Sequence, residues 1–153
     1  GGKGRPNRAG LLTKEGEQGL PYDIDKIISI CQRFRNALEN AKNPPSYMSQ
    51  FPKAWCGVTA RALGGYLLSQ GFESVQYVLG YRGAISHAWL ELGDIIIDIT
   101  ADQFDDCSER IIVAKESEFH NRFVIDLRHE IVPEFLNEYP ENWIIRTVLN
   151  YEE

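Results

Sequence analysis

The sequence predicts an α+β fold in which N-terminal helices pack on an antiparallel β-sheet. Two amphipathic helical patterns, over Asp23–Ala41 and Trp55–Gln70, come first along the chain. After Gly71 the apolar period changes to two, which is typical of strands. Gly93-Asp94 joins two of these strands as a two-residue hairpin turn, so the strands run antiparallel.

The composition excludes several classes of protein. With 153 residues, 43% hydrophobic and 25% charged, the chain is typical of a globular domain with a sizeable core. Its net charge of −6 argues against a general nucleic-acid binder, and no apolar run is long enough to cross a membrane. Three cysteines without a C-x-x-C spacing favour reduced thiols over disulfides or a zinc site, so we expect a reducing compartment such as the cytoplasm.

Residues 1–20 are rich in glycine and in basic residues, and we expect a flexible arm or linker there. Residues 21–153 are then expected to form a single domain. The chain begins with Gly1-Gly2 and its only methionine is Met48, so we expect a piece of a longer protein. A basic arm could touch an acidic partner, although a solvated linker is the simpler interpretation.

The first predicted helix has Asp23 as its N-cap and ends before Asn43-Pro44-Pro45. Its apolar stripe at helical spacing consists of Ile24, Ile27, Ile28, Cys31, Phe34 and Leu38. Cys31 is therefore expected to be a small buried packing residue. In the second helix Gly64-Gly65 costs about 1 kcal/mol per glycine relative to alanine, which suggests the close approach of another backbone.

The rest of the chain is predicted to form short strands and one or two further helices. The predicted strands are Val75–Tyr81, Ser86–Leu92, Ile95–Thr100, Arg110–Lys115 and Phe123–Leu127. A short helix is predicted over Glu130–Glu138, with Pro133 in its first turn. Trp143–Asn150 fits a closing strand or a helix equally well.

The hairpin turn determines which residues face each other across the two strands. It pairs Leu92 with Ile95, Glu91 with Ile96, Leu90 with Ile97, Trp89 with Asp98, Ala88 with Ile99 and His87 with Thr100. Because alternate residues share a side of the sheet, His87, Trp89, Asp98 and Thr100 project from one face. His87 and Asp98 are diagonal neighbours at roughly 7–8 Å, close enough for the imidazole and the carboxylate to touch.

Asp98 interrupts a run of isoleucines, where a buried carboxylate is costly unless it is paired. His87 on the same face is the expected partner. Thr100 either supports Asp98 through a hydroxyl hydrogen bond or is simply a β-branched strand residue. Trp89 either shields the site or belongs to the core.

Cys56 lies at the start of the second predicted helix. A helix N-terminus carries partial positive charge and unpaired N–H groups, and both stabilise a thiolate. Beside an imidazolium such a thiol titrates well below its ordinary pKa of ~8.5. The same N–H groups can bind the oxyanion that forms in acyl transfer, and Gln50, six residues earlier, can supply a second donor.

Other residues of the same types are weaker candidates. Cys107 lies in an acidic segment without a positive partner and is expected to be unreactive. His120 and His129 have no carboxylate in a fixed register, so they are poor alternatives for the general base. The acids expected to be ordinary loop residues are Asp102, Asp105 and Asp106.

A helix-start cysteine, then His-Ala-Trp on a strand and Asp-x-Thr on the next strand, resembles the transglutaminase-like branch of the papain-like thiol enzymes. The resemblance covers Gln50–Phe104 and implies a papain-like minimal core, because the interval between Cys56 and His87 is short. It implies that Cys56 is the nucleophile, that His87 is the general base and acid, and that Asp98 orients His87. Gln50 takes the position of the papain oxyanion glutamine. No metal or organic cofactor is implied.

This branch includes cross-linking transglutaminases, peptidases and bacterial effector domains that deamidate glutamine in host proteins. We therefore expect a cysteine hydrolase that acts on an amide of a protein or peptide substrate. A glutamine deamidase or peptidase domain of a larger bacterial effector-type protein, delivered into a target cell, is the first expectation. The alternatives are a non-catalytic binding module with the same fold and a transglutaminase or acyltransferase. The sequence does not indicate an oligomeric state.

Overall fold

The computed structural model describes residue 11, residues 22–48 and residues 50–152. As predicted, this part of the chain is α+β. Its helices are α1 (Ile24–Glu39), α2 (Cys56–Ser69), α3 (Glu118–Asn121) and α4 (Glu141–Leu149). Its strands are β1 (Val75–Arg82), β2 (Ile85–Leu92), β3 (Ile95–Asp98), β4 (Ile112–Ala114) and β5 (Val124–Glu130). Short 3-10 turns are formed by Ser46–Met48, Ala101–Gln103 and Pro133–Asn137.

The predicted arm over residues 1–20 lies outside the described residues, apart from Leu11. Leu11 forms an isolated parallel bridge with Val113 of β4. None of the described helices is both long and apolar enough to cross a bilayer.

The five strands form one sheet in the order β4-β3-β2-β1-β5, and each neighbouring pair is antiparallel. The turn between β2 and β3 has a positive φ of 60° at Gly93, which glycine adopts without strain. The ladder pairs Leu92 with Ile95, Glu91 with Ile96 and Leu90 with Ile97, so the predicted register is confirmed there. The three further pairs predicted toward Thr100 are absent from this ladder, because β3 ends at Asp98 and the chain turns away.

Helix α1 begins and packs as its sequence predicts. The Asp23 side chain accepts a hydrogen bond of 3.1 Å from the backbone N–H of Lys26, which satisfies one donor of the first turn. The apolar stripe is buried, and Cys31 is fully buried within it. The prediction that Cys31 is a packing residue agrees with this placement.

The glycines of α2 do permit a close approach, but the neighbours are side chains. A Cβ at Gly64 would lie 2.8 Å from Cγ1 of Ile131, and one at Gly65 would lie 2.7 Å from Cδ2 of Leu136. The close approach that the two glycines predict is therefore present, and the nearest atoms of the neighbouring segment belong to side chains. Both contacts come from the segment after β5, which packs against α2 and closes the helical side of the core.

That segment confirms another prediction in part. The short helix expected over Glu130–Glu138 forms over Pro133–Asn137, as a 3-10 helix with Pro133 in its first turn. It starts later than expected, because Glu130 still belongs to β5, which pairs with β1. The ambiguous segment Trp143–Asn150 falls mostly in helix α4, which begins at Glu141.

Two apolar clusters lie on the sheet. The larger one includes the buried faces of α1 and α2 and the residues Leu90 and Ile97 of the sheet. The smaller one, here called the second cluster, contains Val78, Trp89, Ala101, Cys107, Ile112, Phe119 and Phe123. Because alternate residues of a strand face opposite sides, Trp89 joins the second cluster while Leu90 joins the first. His87 shares the side of Trp89, so its ring is brought into the second cluster.

Candidate active site

Asp98, the last residue of β3, is almost completely buried and is surrounded by donors. Its Oδ2 lies 2.7 Å from Nε2 of His87 and 2.6 Å from Nε2 of His120. Its Oδ1 accepts a hydrogen bond of 2.8 Å from the backbone N–H of Thr100, and the Thr100 hydroxyl lies 3.4 Å away. The side chains of His87 and Asp98 thus touch, as the hairpin register predicts.

Burial alone would raise the pKa of Asp98. The positive charge of His87 and the hydrogen bonds from His120 and His87 outweigh it, so the pKa lies well below its usual range. Asp98 is therefore a carboxylate at neutral pH, although it is enclosed by apolar side chains. Such a group is stable only while its partners remain in place.

His87 is fully buried on β2, with its ring packed among aromatic side chains of the second cluster and its surroundings. Its centroid lies 5.1 Å from Phe104 and 5.8 Å from both Phe119 and Phe123. Burial alone would lower the pKa of His87. The charge of Asp98 and hydrogen bonds to Asp98 and Cys56 reverse this effect and raise the pKa to about 9.

Cys56 is the first residue of α2 and is only partly buried. The helix begins with a hydrogen bond of 2.9 Å from the Thr59 N–H to the carbonyl of Trp55. Trp55 occupies the N-cap position, and its indole cannot accept a hydrogen bond from the first turn. The N–H groups of that turn therefore receive no side-chain cap from this position.

Burial alone would raise the pKa of the Cys56 thiol. A hydrogen bond to His87, the charge of His87 and the backbone N–H of Ala88 together lower the pKa below its ordinary value. The shifts of Cys56 and His87 have opposite signs, and each favours the charged form. A thiolate beside an imidazolium is the reactive state of a nucleophilic cysteine.

The other two cysteines have the opposite character. Burial raises the pKa of Cys31 far above its ordinary value. Burial also raises the pKa of Cys107 to about 12, and the nearby carboxylate of Glu109 contributes to the increase. All three cysteines of the chain are described, and only Cys56 has a lowered pKa.

The structure places the two candidate glutamines differently. Gln50 is exposed in the turn before α2, and no hydrogen bond joins its side chain to Cys56 or His87, both of which are described. The side-chain nitrogen of Gln103 lies 3.3 Å from Nδ1 of His87 and donates a hydrogen bond of 3.0 Å to the carbonyl of Thr100. Sequence reasoning missed Gln103, although a residue three positions after Thr100 returns to it when the chain forms a 3-10 turn.

His120 was also missed, and the expectation that it lacks a carboxylate partner was wrong. Helix α3 brings its ring to Asp98. Ser117 caps this helix by accepting from the backbone N–H of His120 at 3.3 Å, and the same hydroxyl lies 2.6 Å from Nδ1 of the ring. The pattern Ser-x-x-His was a usable signal for the cap, but only the fold shows which carboxylate the ring reaches.

The turn that carries Gln103 is held by a partly buried ion pair, in which the Arg35 side chain is 4% exposed and the Asp102 side chain is 17% exposed. Arg35 of α1 donates two hydrogen bonds to the carboxylate of Asp102, at 2.6 and 2.7 Å, and one of 2.8 Å to the carbonyl of Ile99. Asp102 is thus more than the ordinary loop acid that the sequence predicts. The bidentate pair holds the chain that follows β3 against α1.

Among the described residues, His87, Asp98 and His120 form one group whose ligand atoms are close enough to suggest a metal, all within 4.8 Å of one another. Two ligands of a tetrahedral zinc, each at about 2.0–2.2 Å from the metal, stand more than about 3 Å apart. The N–O distances of 2.6 and 2.7 Å are shorter and fit direct hydrogen bonds. The arrangement of the three side chains therefore fits hydrogen bonding better than metal coordination.

No protein-family model matches the chain, and no curated protein or solved structure matches it either.

Proposed function

We propose that this chain is a thiol-dependent amide hydrolase of the papain-like class. Cys56 is the nucleophile, His87 is the general acid and base, and Asp98 orients and stabilises the His87 imidazolium. The observation that carries the proposal is the buried hydrogen bond of 2.7 Å between Nε2 of His87 and Oδ2 of Asp98, on a ring that interacts with Cys56 at the start of α2. In keeping with this arrangement, the interaction lowers the pKa of the thiol and raises that of the ring. A titratable group whose pKa is shifted by burial and by a specific charged partner is a candidate functional residue.

The first half of the proposed reaction forms a thioester. The Cys56 thiolate attacks the carbonyl carbon of an amide, so a C–S bond forms and the carbonyl oxygen becomes an oxyanion. The backbone N–H of Cys56 is one donor to that oxyanion. Gln50 is one candidate for the second donor. Gln103 is the other, because its amide nitrogen already lies beside Nδ1 of His87.

The oxyanion then collapses, the C–N bond breaks, and His87 gives its proton to the departing nitrogen. Water attacks the thioester in the second half, and His87 takes a proton from that water. The C–S bond breaks, the product leaves as a carboxylic acid, and the Cys56 thiolate is restored beside the imidazolium. No metal or organic cofactor takes part in these steps.

Exposure of the three side chains favours a large substrate. Cys56 is partly exposed, whereas the side chains of His87 and Asp98 are 0% and 1% exposed. The cavity behind Cys56 has a volume of only about 10 Å³. A substrate must therefore approach the sulfur from the surface, as an amide on a protein or peptide can do.

The kind of amide that we propose as the substrate rests on the resemblance of the sequence motifs to the transglutaminase-like branch. We propose a protein glutamine deamidase or a cysteine peptidase, as the catalytic domain of a larger bacterial effector-type protein that works in a reducing cytoplasm. In a transglutaminase the same thioester would be released by an amine in place of water. A binding module of the same fold would form no thioester.

The test uses a mixture of unfolded proteins of known sequence, which offers glutamine, asparagine and backbone amides together. Mass spectrometry and ammonia release are compared between the unaltered chain and Cys56→Ala. Glutamine converted to glutamate supports a deamidase, cleaved chains support a peptidase, and incorporated amine supports a transglutaminase. Equal results for the two proteins in all three assays would contradict the proposal.

A further inference from the structure

We propose that His120 is a positioning residue that keeps Oδ2 of Asp98 on Nε2 of His87. The proposal deepens the proposed function, because it depends on the role assigned to His87. His120 itself is buried and has no contact with Cys56 among its described hydrogen bonds.

The first observation is that one oxygen atom receives both rings. Nε2 of His87 and Nε2 of His120 lie 2.7 and 2.6 Å from Oδ2 of Asp98. A carboxylate oxygen has two acceptor directions in its plane, so two N–H donors occupy both. With only His87 as a donor, Asp98 could rotate about its side-chain bond and still accept from Thr100 through the other oxygen.

The second observation is that His120 is itself held in place. Its Nδ1 lies 2.6 Å from the Ser117 hydroxyl, which leaves Nε2–H to donate to Asp98. Its ring packs against Trp89 and Phe119, with centroids 4.8 and 5.0 Å away. The ring therefore has one orientation in which both nitrogens are satisfied, and that orientation points at Asp98.

The third observation concerns the charges that face His87. The charged groups that interact with His87 are Asp98 and Cys56, and His120 is hydrogen-bonded to Asp98. The guanidinium of Arg82 lies on the Phe104, Phe119 and Phe123 rings and pairs with Asp106. The orientation of Asp98 thus decides how well the imidazolium, and with it the thiolate, is stabilised.

Two substitutions separate positioning from simple packing. His120→Gln keeps an N–H donor at about the position of Nε2, whereas His120→Phe fills the apolar surroundings without a donor. If His120 only fills space, phenylalanine is the better replacement. If His120 positions Asp98, glutamine is the better one.

The readout is the rate at which iodoacetamide alkylates Cys56, followed by peptide mapping across a range of pH. This rate rises as the thiolate forms, so it reports the apparent pKa of Cys56 without a substrate. We expect His120→Phe to move the rise toward higher pH by about one unit, so that alkylation on the rising part is about tenfold slower. His120→Gln should keep the rise near its original position.

The proposal would be overturned if the alkylation rate of folded His120→Phe rose at the same pH as that of the unaltered protein. It would also be overturned if this pH shifted equally in His120→Phe and His120→Gln. Circular dichroism and thermal unfolding check that each variant is folded.

If His120→Phe does not fold, imidazole nitrogen and proton NMR of the unaltered protein provides the test. Two slowly exchanging Nε2 protons, both displaced in Asp98→Asn, are expected, whereas a rapidly exchanging His120 proton would overturn the proposal. Because neither readout needs turnover, a missing hydrolase activity would contradict only the proposed function.

Discussion

His87 and Asp98 are joined by a hydrogen bond of 2.7 Å that uses Nε2 of the ring, while Nδ1 lies 3.3 Å from the side-chain nitrogen of Gln103. The side chains that form this bond are almost inaccessible to solvent. The carboxylate therefore sets both the orientation of the ring and its charge. The proposed reactivity of Cys56 therefore depends on this pair.

Replacing Asp98 by asparagine should separate its effect on the orientation of the His87 ring from its effect on the charge of that ring. The Asp98→Asn chain should remain folded, because asparagine has the same shape and can still accept from Thr100. Turnover should fall by a factor on the order of 10⁴, as it does when a triad loses its orienting charge. The measurement is initial rate together with thermal unfolding. Full activity in the folded variant would remove Asp98 from the mechanism.

Turnover should depend on pH along a bell-shaped curve. At low pH Cys56 holds its proton and no thiolate exists, so the rate rises as pH passes the lowered pKa of the thiol. At high pH the rate falls near pH 9, because His87 loses the proton that it must give to the leaving nitrogen. Single-turnover rates with saturating substrate measure both limbs. An alkaline limb near the ordinary histidine pKa would contradict the raised value for His87.

The ion pair of Arg35 and Asp102 should matter for stability. Asp102→Asn leaves the guanidinium buried with a weaker partner, and we expect a loss of about 3 kcal/mol in the free energy of unfolding. Glu39→Gln is the matched control, because Glu39 pairs with the same Arg35 but is 35% exposed. That change should cost less than about 1 kcal/mol. Denaturant unfolding compares the two variants. Equal losses in the free energy of unfolding would argue against the Arg35–Asp102 pair as an anchor.

Gly65 provides a test of packing between α2 and the segment after β5. Alanine favours a helix by about 1 kcal/mol over glycine. Its Cβ would lie 2.7 Å from Leu136, however, and overpacking costs about 1–3 kcal/mol. Gly65→Ala should therefore destabilise the chain. In a Leu136→Ala background the same change should become stabilising, and an unchanged sign in urea unfolding would show that the clash is not with Leu136.

The local geometry of the hairpin could be predicted from the sequence. A two-residue turn at Gly93-Asp94 and a side-chain period of two were enough to place His87 and Asp98 on one face. The length of the ladder could not be predicted in the same way. Strand β3 ends at Asp98 because the following turn is drawn to Arg35, which lies more than sixty residues earlier.

His120 and Gln103 show why the rest of the site was missed. His120 reaches Asp98 only because α3 packs over the second cluster, and nothing in the local sequence specifies that packing. Gln103 reaches His87 through a 3-10 turn whose position depends on the Arg35 pair. Contacts between distant segments decide both cases, and periodicity gives no information about them.

The helix predicted over Glu130–Glu138 is shorter than expected for a related reason. Its charged residues suit an exposed helix, but strand β1 offers an open edge that Val124–Glu130 pairs with. Tertiary pairing overrides the weak local preference of such a segment. Pro133 then starts a 3-10 turn, which is compatible with its missing N–H.

The most direct test of the central claim is the rate of Cys56 alkylation by iodoacetamide at neutral pH in the unaltered chain and in His87→Gln. If His87 holds the thiol as a thiolate, the rate should fall at least about tenfold in the variant, since one unit of pKa changes the thiolate fraction by that factor. Cys31 and Cys107, which are buried, serve as internal controls and should stay unlabelled in both proteins. Equal rates at Cys56 in the two folded proteins would contradict the account.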